Sequence, residues 1–176
     1  MQTSKLSIAT PTVKRRLICM VYEALLLVAV EALAMLMYLF FTRNEHTALI
    51  DDGRNAVFFL VAAAYFIHAW SGSGHTLAMK TWHIKLVKLG FARVPLRAAA
   101  LRYLLAWGWF LPAIVTCYAF GLKSTGQVGA ALGLGIAAWA MTALFDKDRQ
   151  FLHDRIAGTR LISLPKPVKN TTAPKA

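Results

Sequence analysis

Apolar residues in this chain are concentrated in four blocks separated by polar and charged segments. The blocks cover residues 17–41, 56–70, 96–120 and 128–145. A helix rises about 1.5 Å per residue and the hydrocarbon core of a bilayer is about 30 Å thick, so about 20 apolar residues can cross it. The pattern therefore predicts an all-α membrane protein with four transmembrane helices.

The second block is short for a membrane span. It has 15 residues, about 22 Å as a helix. A spanning helix must therefore recruit flanking residues, and a re-entrant segment is the alternative.

The segment between the second and third blocks combines basic residues with a regular apolar pattern. Residues 76–80 favour a short helix, and apolar and polar side chains alternate over residues 82–86 as in a strand. We predict a basic amphipathic loop that lies on the cytoplasmic membrane surface with Trp82 at headgroup depth. A plain positively charged linker is the alternative.

Charge sets the predicted orientation. The chain has 20 basic and 8 acidic residues and a formal net charge of +12. Of the basic residues, 17 lie before the first block, between Lys80 and Arg102, or after the last block. The positive-inside rule places these segments, and so both termini, in the cytoplasm.

The same basic residues indicate which partners to expect. They are spread among the polar segments, without the aromatic-interleaved stripe of a nucleic-acid interface, so we predict no nucleic-acid partner. Lipid, with anionic headgroups on the cytoplasmic face, is the expected partner. The proline-containing tail over residues 165–176 has no means of forming a core and is predicted to be disordered.

Four ionisable residues within the blocks are candidates for an ion or ligand pathway. Glu23 and Arg102 each lie six residues into their blocks, so we predict an ion pair between the first and third spans, with a purely structural role as the alternative. Glu31 lies near the bilayer middle without a basic partner at its depth, and is either protonated or faces a hydrated cavity. His68 is a proton relay or an interfacial side chain.

No pattern indicates catalysis. The chain has no Cys/His cluster with metal-ligand spacing, no recognisable nucleophile set and no glycine-rich phosphate loop. We therefore predict no enzyme activity, no metal site and no cofactor.

The polar residues around the blocks resemble those of the RDD family of bacterial membrane proteins. The resemblance covers residues 11–164, which we take as one transmembrane domain, and includes a closing Arg-Gln-x-x-His-Asp-x-x-x-Gly-Thr segment. The matching residues outside the third span are Arg16, Glu23, Gly74, Thr76, Arg149, Gln150, His153, Asp154, Gly158 and Thr159. Glu23 stands where the family has an aspartate, and Ala78 stands where it has a glycine.

The resemblance implies a multi-pass protein of the bacterial inner membrane with a transport-related role. We expect an ion or a small solute to move through a polar interior that includes Glu23, Glu31 and Arg102. The alternative is a non-catalytic adaptor or assembly protein that contacts a partner or anionic lipid, and a homo-oligomer stays open. Asp154 is expected to accept backbone hydrogen bonds or to pair with a basic group such as Arg16.

Overall fold

The computed structural model describes residues 9–43, 45 and 47–165. The predicted disordered tail therefore lies outside the described residues, except for Pro165. The elements are α1 (Val13–Phe41), α2 (Ala48–Gly72), α3 (Leu77–Thr81), β1 (Ile84–Val87), α4 (Leu96–Ala106), a 3-10 turn (Trp107–Trp109), α5 (Leu111–Phe120), α6 (Thr125–Phe145), α7 (Leu152–Ile156) and β2 (Arg160–Ser163).

The four predicted spans are confirmed as helices long and apolar enough to cross a membrane. They are α1, α2, the α4–α5 segment and α6. The 15-residue second block is extended by residues on both sides of it, so that α2 is one continuous helix of 25 residues. Its polar first turn is stabilised by Thr47, whose side chain accepts from the Ile50 N–H, and by the Arg54–Asp51 ion pair at 2.9 Å.

The third span is interrupted, although its sequence was expected to form one helix over residues 96–120. The 3-10 turn separates α4 from α5, and Pro112 follows within the first turn of α5. Proline has no N–H to donate and its ring clashes with the preceding turn, so the helix cannot continue through it. The break places Gly108 against the Trp139 ring of α6, where a Cβ would lie 2.4 Å from the ring.

The polar segments at one end of the helices fold into a small layer. We call the layer formed by α3, β1, α7 and β2 the cap. Strands β1 and β2 pair antiparallel, with Ile84 opposite Ser163 and Val87 opposite Arg160. The chain's last described segment is thereby joined to the middle of the sequence.

The cap changes the interpretation of the amphipathic loop. The alternation predicted there is present, since Ile84 and Leu86 are each 1% exposed and their neighbours are not buried. However, this apolar face packs on protein instead of lying on lipid, because β2 supplies a partner strand and the helix ends supply a core. Trp82 is half-buried and its ring packs edge-on against Tyr22 of α1.

Helix packing leaves a gap on one side of α1. The closely packed pairs are α1 with α2, α2 with α4, and α5 with α6. In the described part of the chain, α1 has no comparable packing against α4, α5 or α6. A cavity lies along that side.

Candidate functional site

A cavity of about 1020 Å³ brings together three of the four candidate pathway residues. Glu23, Glu31 and Arg102 line it, together with Arg16. Most of the remaining lining is apolar, and it comes from α1, α2, the α4–α5 segment and the cap. His68 is exposed and is not among the lining residues, so the structure does not bring it to this site.

Glu23 is held by two hydroxyl groups. The Tyr65 hydroxyl donates to Oε1 at 2.6 Å, and the Thr76 hydroxyl donates to Oε2. Thr76 also caps α3 by accepting from the Met79 N–H at 3.2 Å. Glu23 therefore ties α1 to α2 and to the cap, which gives two of the family-motif positions a shared structural role.

The predicted ion pair between Glu23 and Arg102 is wrong. Arg102 instead donates through Nε to Asp154 Oδ1 at 2.6 Å, and Asp154 is completely buried. The guanidinium also lies 4.0 Å from the centre of the Trp70 ring. Matching residues by depth along two helices did not anticipate that the segment after the last span folds back and supplies the carboxylate.

Arg16 is also deeply buried, at 2% exposure, but no carboxylate among the described residues forms a hydrogen bond or an ion pair with it; Asp154 and Asp146 act on it only at longer range. Its Nη2 donates to the Arg149 carbonyl oxygen, and its guanidinium lies 4.4 Å from the centre of the Phe151 ring. Within the described residues, its Nε and Nη1 atoms have no hydrogen-bond partner. Asp154 thus pairs with a basic group as expected, but the group is Arg102. Arg16, the example considered in the sequence analysis, instead contacts a carbonyl oxygen of the same closing segment.

The rest of the closing segment binds the cap strands through backbone groups. The Gln150 side chain accepts from the Leu161 N–H at 3.1 Å and donates to the Leu161 carbonyl oxygen at 3.3 Å. The Thr159 N–H donates to the Asp154 carbonyl oxygen at 2.9 Å, across a turn in which Gly158 has a φ of 64°. A left-handed residue of this kind is accommodated most easily by glycine.

Gly74 allows the chain to approach β1 closely. Its φ is 76°, and a Cβ added there would lie 2.6 Å from the Leu86 carbonyl oxygen. The Leu86 N–H donates to the Gly74 carbonyl oxygen at 2.8 Å, which joins the end of α2 to the cap. Only glycine combines this backbone conformation with this contact.

His153 is a neutral hydrogen-bond acceptor in the interior of the cap. Its Nδ1 accepts from the Trp139 indole N–H at 3.3 Å, which places its proton on Nε2, 3.6 Å from Asp154 Oδ2. Burial lowers the pKa of His153 from 6.5 to about 4, since the neighbouring Asp154 only partly offsets the desolvation. Arg102 and Arg16 lower this pKa further.

Glu31 differs from the other buried charged residues because nothing in the cap reaches it. It is 8% exposed, lies about halfway along α1, and lines the cavity. Its Oε2 atom is buried without a hydrogen-bond partner among the described residues. The carboxyl group also receives a backbone hydrogen bond from Ala62 of α2, so the part of it without a described partner is the Oε2 atom.

Sequence reasoning missed two contributors. Arg15 donates to the Trp82 carbonyl oxygen through Nε at 2.8 Å and to the Ser163 hydroxyl at 2.6 Å, so it pins α1 to the cap. Tyr65 supplies a donor to Glu23. In the sequence, Arg15 indicates only the orientation of the first span, because its partners lie far away along the chain. Tyr65 is a single polar side chain within the apolar second block, and the pattern there does not show that its partner is Glu23.

Comparison with known proteins settles the family. The family model described as RDD family matches residues 10–158. The chain belongs to the RDD family. No curated protein and no solved structure matches it.

The positions that carry the RDD resemblance lie together in the structure. Arg16, Glu23, Arg102 and Asp154 are all buried where α1 and α4 meet the cap. No group of three His, Cys, Asp or Glu side chains is placed to hold a metal ion within the residues that the structure describes. The absence of enzyme activity and of a cofactor stays a prediction.

We predict that Arg102 and Asp154 depend on each other. Arg102→Ala or Asp154→Ala alone leaves a buried charge without its partner and is expected to cost about 3–5 kcal/mol. The double replacement should recover part of this loss, as measured by thermal unfolding of detergent-solubilised protein. Strictly additive losses would show that the ion pair contributes nothing. Arg97→Ala, at an exposed position in the same helix, is the control.

We also predict that acid destabilises the cap through His153. Its pKa is lowered in the folded state, so the stabilisation is complete above about pH 6.5 and is lost as the pH falls towards 4. Between pH 7 and about pH 5, roughly 2 kcal/mol should be lost. His153→Gln keeps an acceptor for Trp139 and should flatten this dependence in thermal unfolding, whereas His68→Gln at an exposed position should not. Equal slopes for both variants would contradict the assignment.

Proposed function

We propose that this RDD protein is transport-related and that an ion or a small solute passes through its cavity, with Glu31 as the titrating or ligand-binding group. The observation that carries the proposal is the position of Glu31. A charged carboxyl group in the middle of a membrane span is energetically costly unless it is protonated or in contact with water. Such a residue is therefore a candidate for a functional role. Glu31 lines a cavity of about 1020 Å³, and its Oε2 atom has no hydrogen-bond partner among the described residues.

The other charged residues of the cavity support this assignment by contrast. Glu23 is satisfied by two hydroxyl groups, and Arg102 is paired with Asp154. Their contacts join helices to the cap and are explained by structure alone. Glu31 makes no contact with the cap. It receives a backbone hydrogen bond from Ala62 of α2, and its Oε2 atom has no partner among the described residues, so this oxygen atom supports the proposed role.

The adaptor or assembly role remains the second candidate. It is favoured by the cap, in which the RDD closing segment serves to hold the chain together and leaves basic side chains such as Lys14 and Lys80 exposed at the surface. Such a surface suits anionic headgroups or an acidic partner. A homo-oligomer fits this role as well as it fits transport.

We further propose that the protein lies in the bacterial inner membrane with the cap in the cytoplasm. The support is the distribution of basic residues along the sequence, of which 17 of 20 lie before the first apolar block, between Lys80 and Arg102, or after the last block. Lipid headgroups on that leaflet are anionic and would attract them.

The transport proposal is tested by Glu31→Gln. This change keeps the size of the side chain and its hydrogen-bonding capacity but removes titration, so the protein should insert and fold normally. In proteoliposomes, wild-type protein should carry pH-dependent flux under a proton, sodium or potassium gradient, and Glu31→Gln should abolish it. Glu45→Gln, which removes an exposed carboxylate outside the spans, should leave the flux unchanged. Wild-type protein without flux under any of these gradients would rule out ion coupling and favour the adaptor role.

The orientation is tested with reporter fusions. Fusions after Asp51 and after Lys123 should report the periplasmic side, and fusions after Lys88 and at the C-terminus should report the cytoplasm. A periplasmic signal at Lys88 would refute the proposed orientation. Placing both members of a pair on the same side, such as Asp51 and Lys88, would contradict a spanning α2.

A further inference from the structure

The cavity is an elongated groove with an open side. Its α1 wall extends from Arg16 to Leu39, about 34 Å along the helix axis. Several of its lining side chains are exposed along their length, including Val28 at 66%, Leu36 at 65% and Trp107 at 44%. A groove with this length and exposure is open to the hydrocarbon between α1 and the α4–α6 side.

Spare hydrogen-bond donors lie at the cap end of this groove. Arg16 and Arg102 both line it, and both are more than nine-tenths buried. Arg16 Nε and Nη1 are buried without a hydrogen-bond partner among the described residues. Arg102 makes its hydrogen bond to Asp154 through Nε, which leaves its two terminal nitrogen atoms for other acceptors. The two guanidiniums contact one cluster: Arg16 lies over the Phe151 ring, which stacks on His153 at 5.6 Å, and His153 lies 3.6 Å from Asp154, the partner of Arg102.

The charges at this end are not balanced by direct contacts. Asp154 pairs directly with Arg102, whereas the direct contacts of Arg16 among the described residues are the Arg149 carbonyl oxygen and the Phe151 ring. Asp154 and Asp146 act on Arg16 electrostatically without a hydrogen bond to it. Glu23 is engaged with hydroxyl groups of α2 and of the cap. A buried cation without an anionic partner is costly, and an oxyanion that accepts its N–H groups would relieve that cost.

We propose that the groove binds an anionic lipid from the bilayer, with the oxyanion of its headgroup at Arg16 and Arg102 and an alkyl chain along α1. Arg16 lies four residues from Thr12, which caps α1, so the donors are at headgroup depth and the chain points towards the bilayer centre. Apart from Glu31, the lining of α1 beyond Glu23 is apolar and suits the chain, and the open side provides lateral access. This inference does not rest on transport, since a bound lipid requires none.

The site is tested by quenching of tryptophan fluorescence with lipids brominated in the acyl chain. Trp70, Trp107 and Trp109 line the groove. In phosphatidylcholine vesicles, a small mole fraction of brominated phosphatidic acid should quench severalfold more than the same fraction of brominated phosphatidylcholine. Equal quenching by the two lipids would show that the groove accepts any chain and would overturn the role of the arginines.

Substitutions at two positions, Arg16 and Ala24, test the headgroup contact and the groove separately. Arg16→Gln should weaken the preference for phosphatidic acid about tenfold, and Arg16→Lys should retain part of it. Because Arg16→Gln also removes a cap contact, Ala24→Phe provides an independent test: it fills the groove from an exposed position without touching the cap. It should abolish the preference, whereas Ala29→Phe, exposed on α1 outside the groove, should not. A preference that survives in Ala24→Phe would place the lipid elsewhere.

The remaining outcomes identify other occupants. If millimolar inorganic phosphate removes the preference, the arginines bind a free phosphate and the chain is irrelevant, which overturns the proposal. If Ala24→Phe lowers the mass of the solubilised particle, a second copy of the chain fills the groove, which overturns it as well. Glu31→Gln should not alter the lipid preference, so failure of transport and failure of lipid binding are distinguishable.

Discussion

The buried ion pair between Arg102 and Asp154 is the contact on which the arrangement of this protein depends. It joins the third span to a segment 52 residues further along the chain, in an environment from which Asp154 is wholly excluded from solvent. A buried pair contributes little net stability compared with an apolar replacement, but each charge makes the other's position obligatory. The pair therefore fixes where the chain must return after its last span. That return creates the cap, because α7 and β2 can lie beneath the helices only if Asp154 reaches α4.

Other RDD positions lie around this pair. They supply hydrogen-bond partners to buried groups or allow a close approach of the backbone. Gln150 binds both backbone groups of Leu161, and Gly74 lets the end of α2 lie against β1. Thr76 serves two structures at once, capping α3 and donating to Glu23. Substitution of Glu23 for the aspartate of the family is accommodated because its partners are two hydroxyl groups on separate elements, which the longer side chain reaches. The motif residues are therefore the ones that attach the cap to the membrane helices.

Much of the fold could be predicted from the sequence because it follows from local patterns. Block length gave the four spans, and alternation of apolar and polar residues gave the strand that became β1. Contacts between distant segments were not accessible in this way. Depth matching paired Glu23 with Arg102 because it considered only the spans, and the carboxylate comes instead from outside them. The amphipathic loop was placed on lipid because β2 carries no comparable pattern of its own: its pairing with β1 is specified by contacts around Asp154 and Gln150, which no single stretch of sequence displays.

The site divides into two parts with different physical requirements. Near the cap, Glu23, Arg102, Asp154 and Arg16 each make at least one hydrogen bond, although Arg16 Nε and Nη1 and Asp154 Oδ2 have no described hydrogen-bond partner. Substitution there is therefore expected to act first on folding. Towards the bilayer centre, the cavity is bounded mostly by apolar side chains and by Glu31, which receives a backbone hydrogen bond from Ala62 but whose Oε2 atom has no described partner. Among the described residues, α1 packs along α2 and against the cap, and its start contacts the Trp109–Ala143–Phe151 cluster through Val13 and Leu17, but it has no comparable packing along α5 or α6. A ligand of the proposed kind would therefore enter from the bilayer along this open side without breaking the contacts that hold the fold, whereas entry through the cap would disturb Arg16, Phe151 and His153, which are buried together.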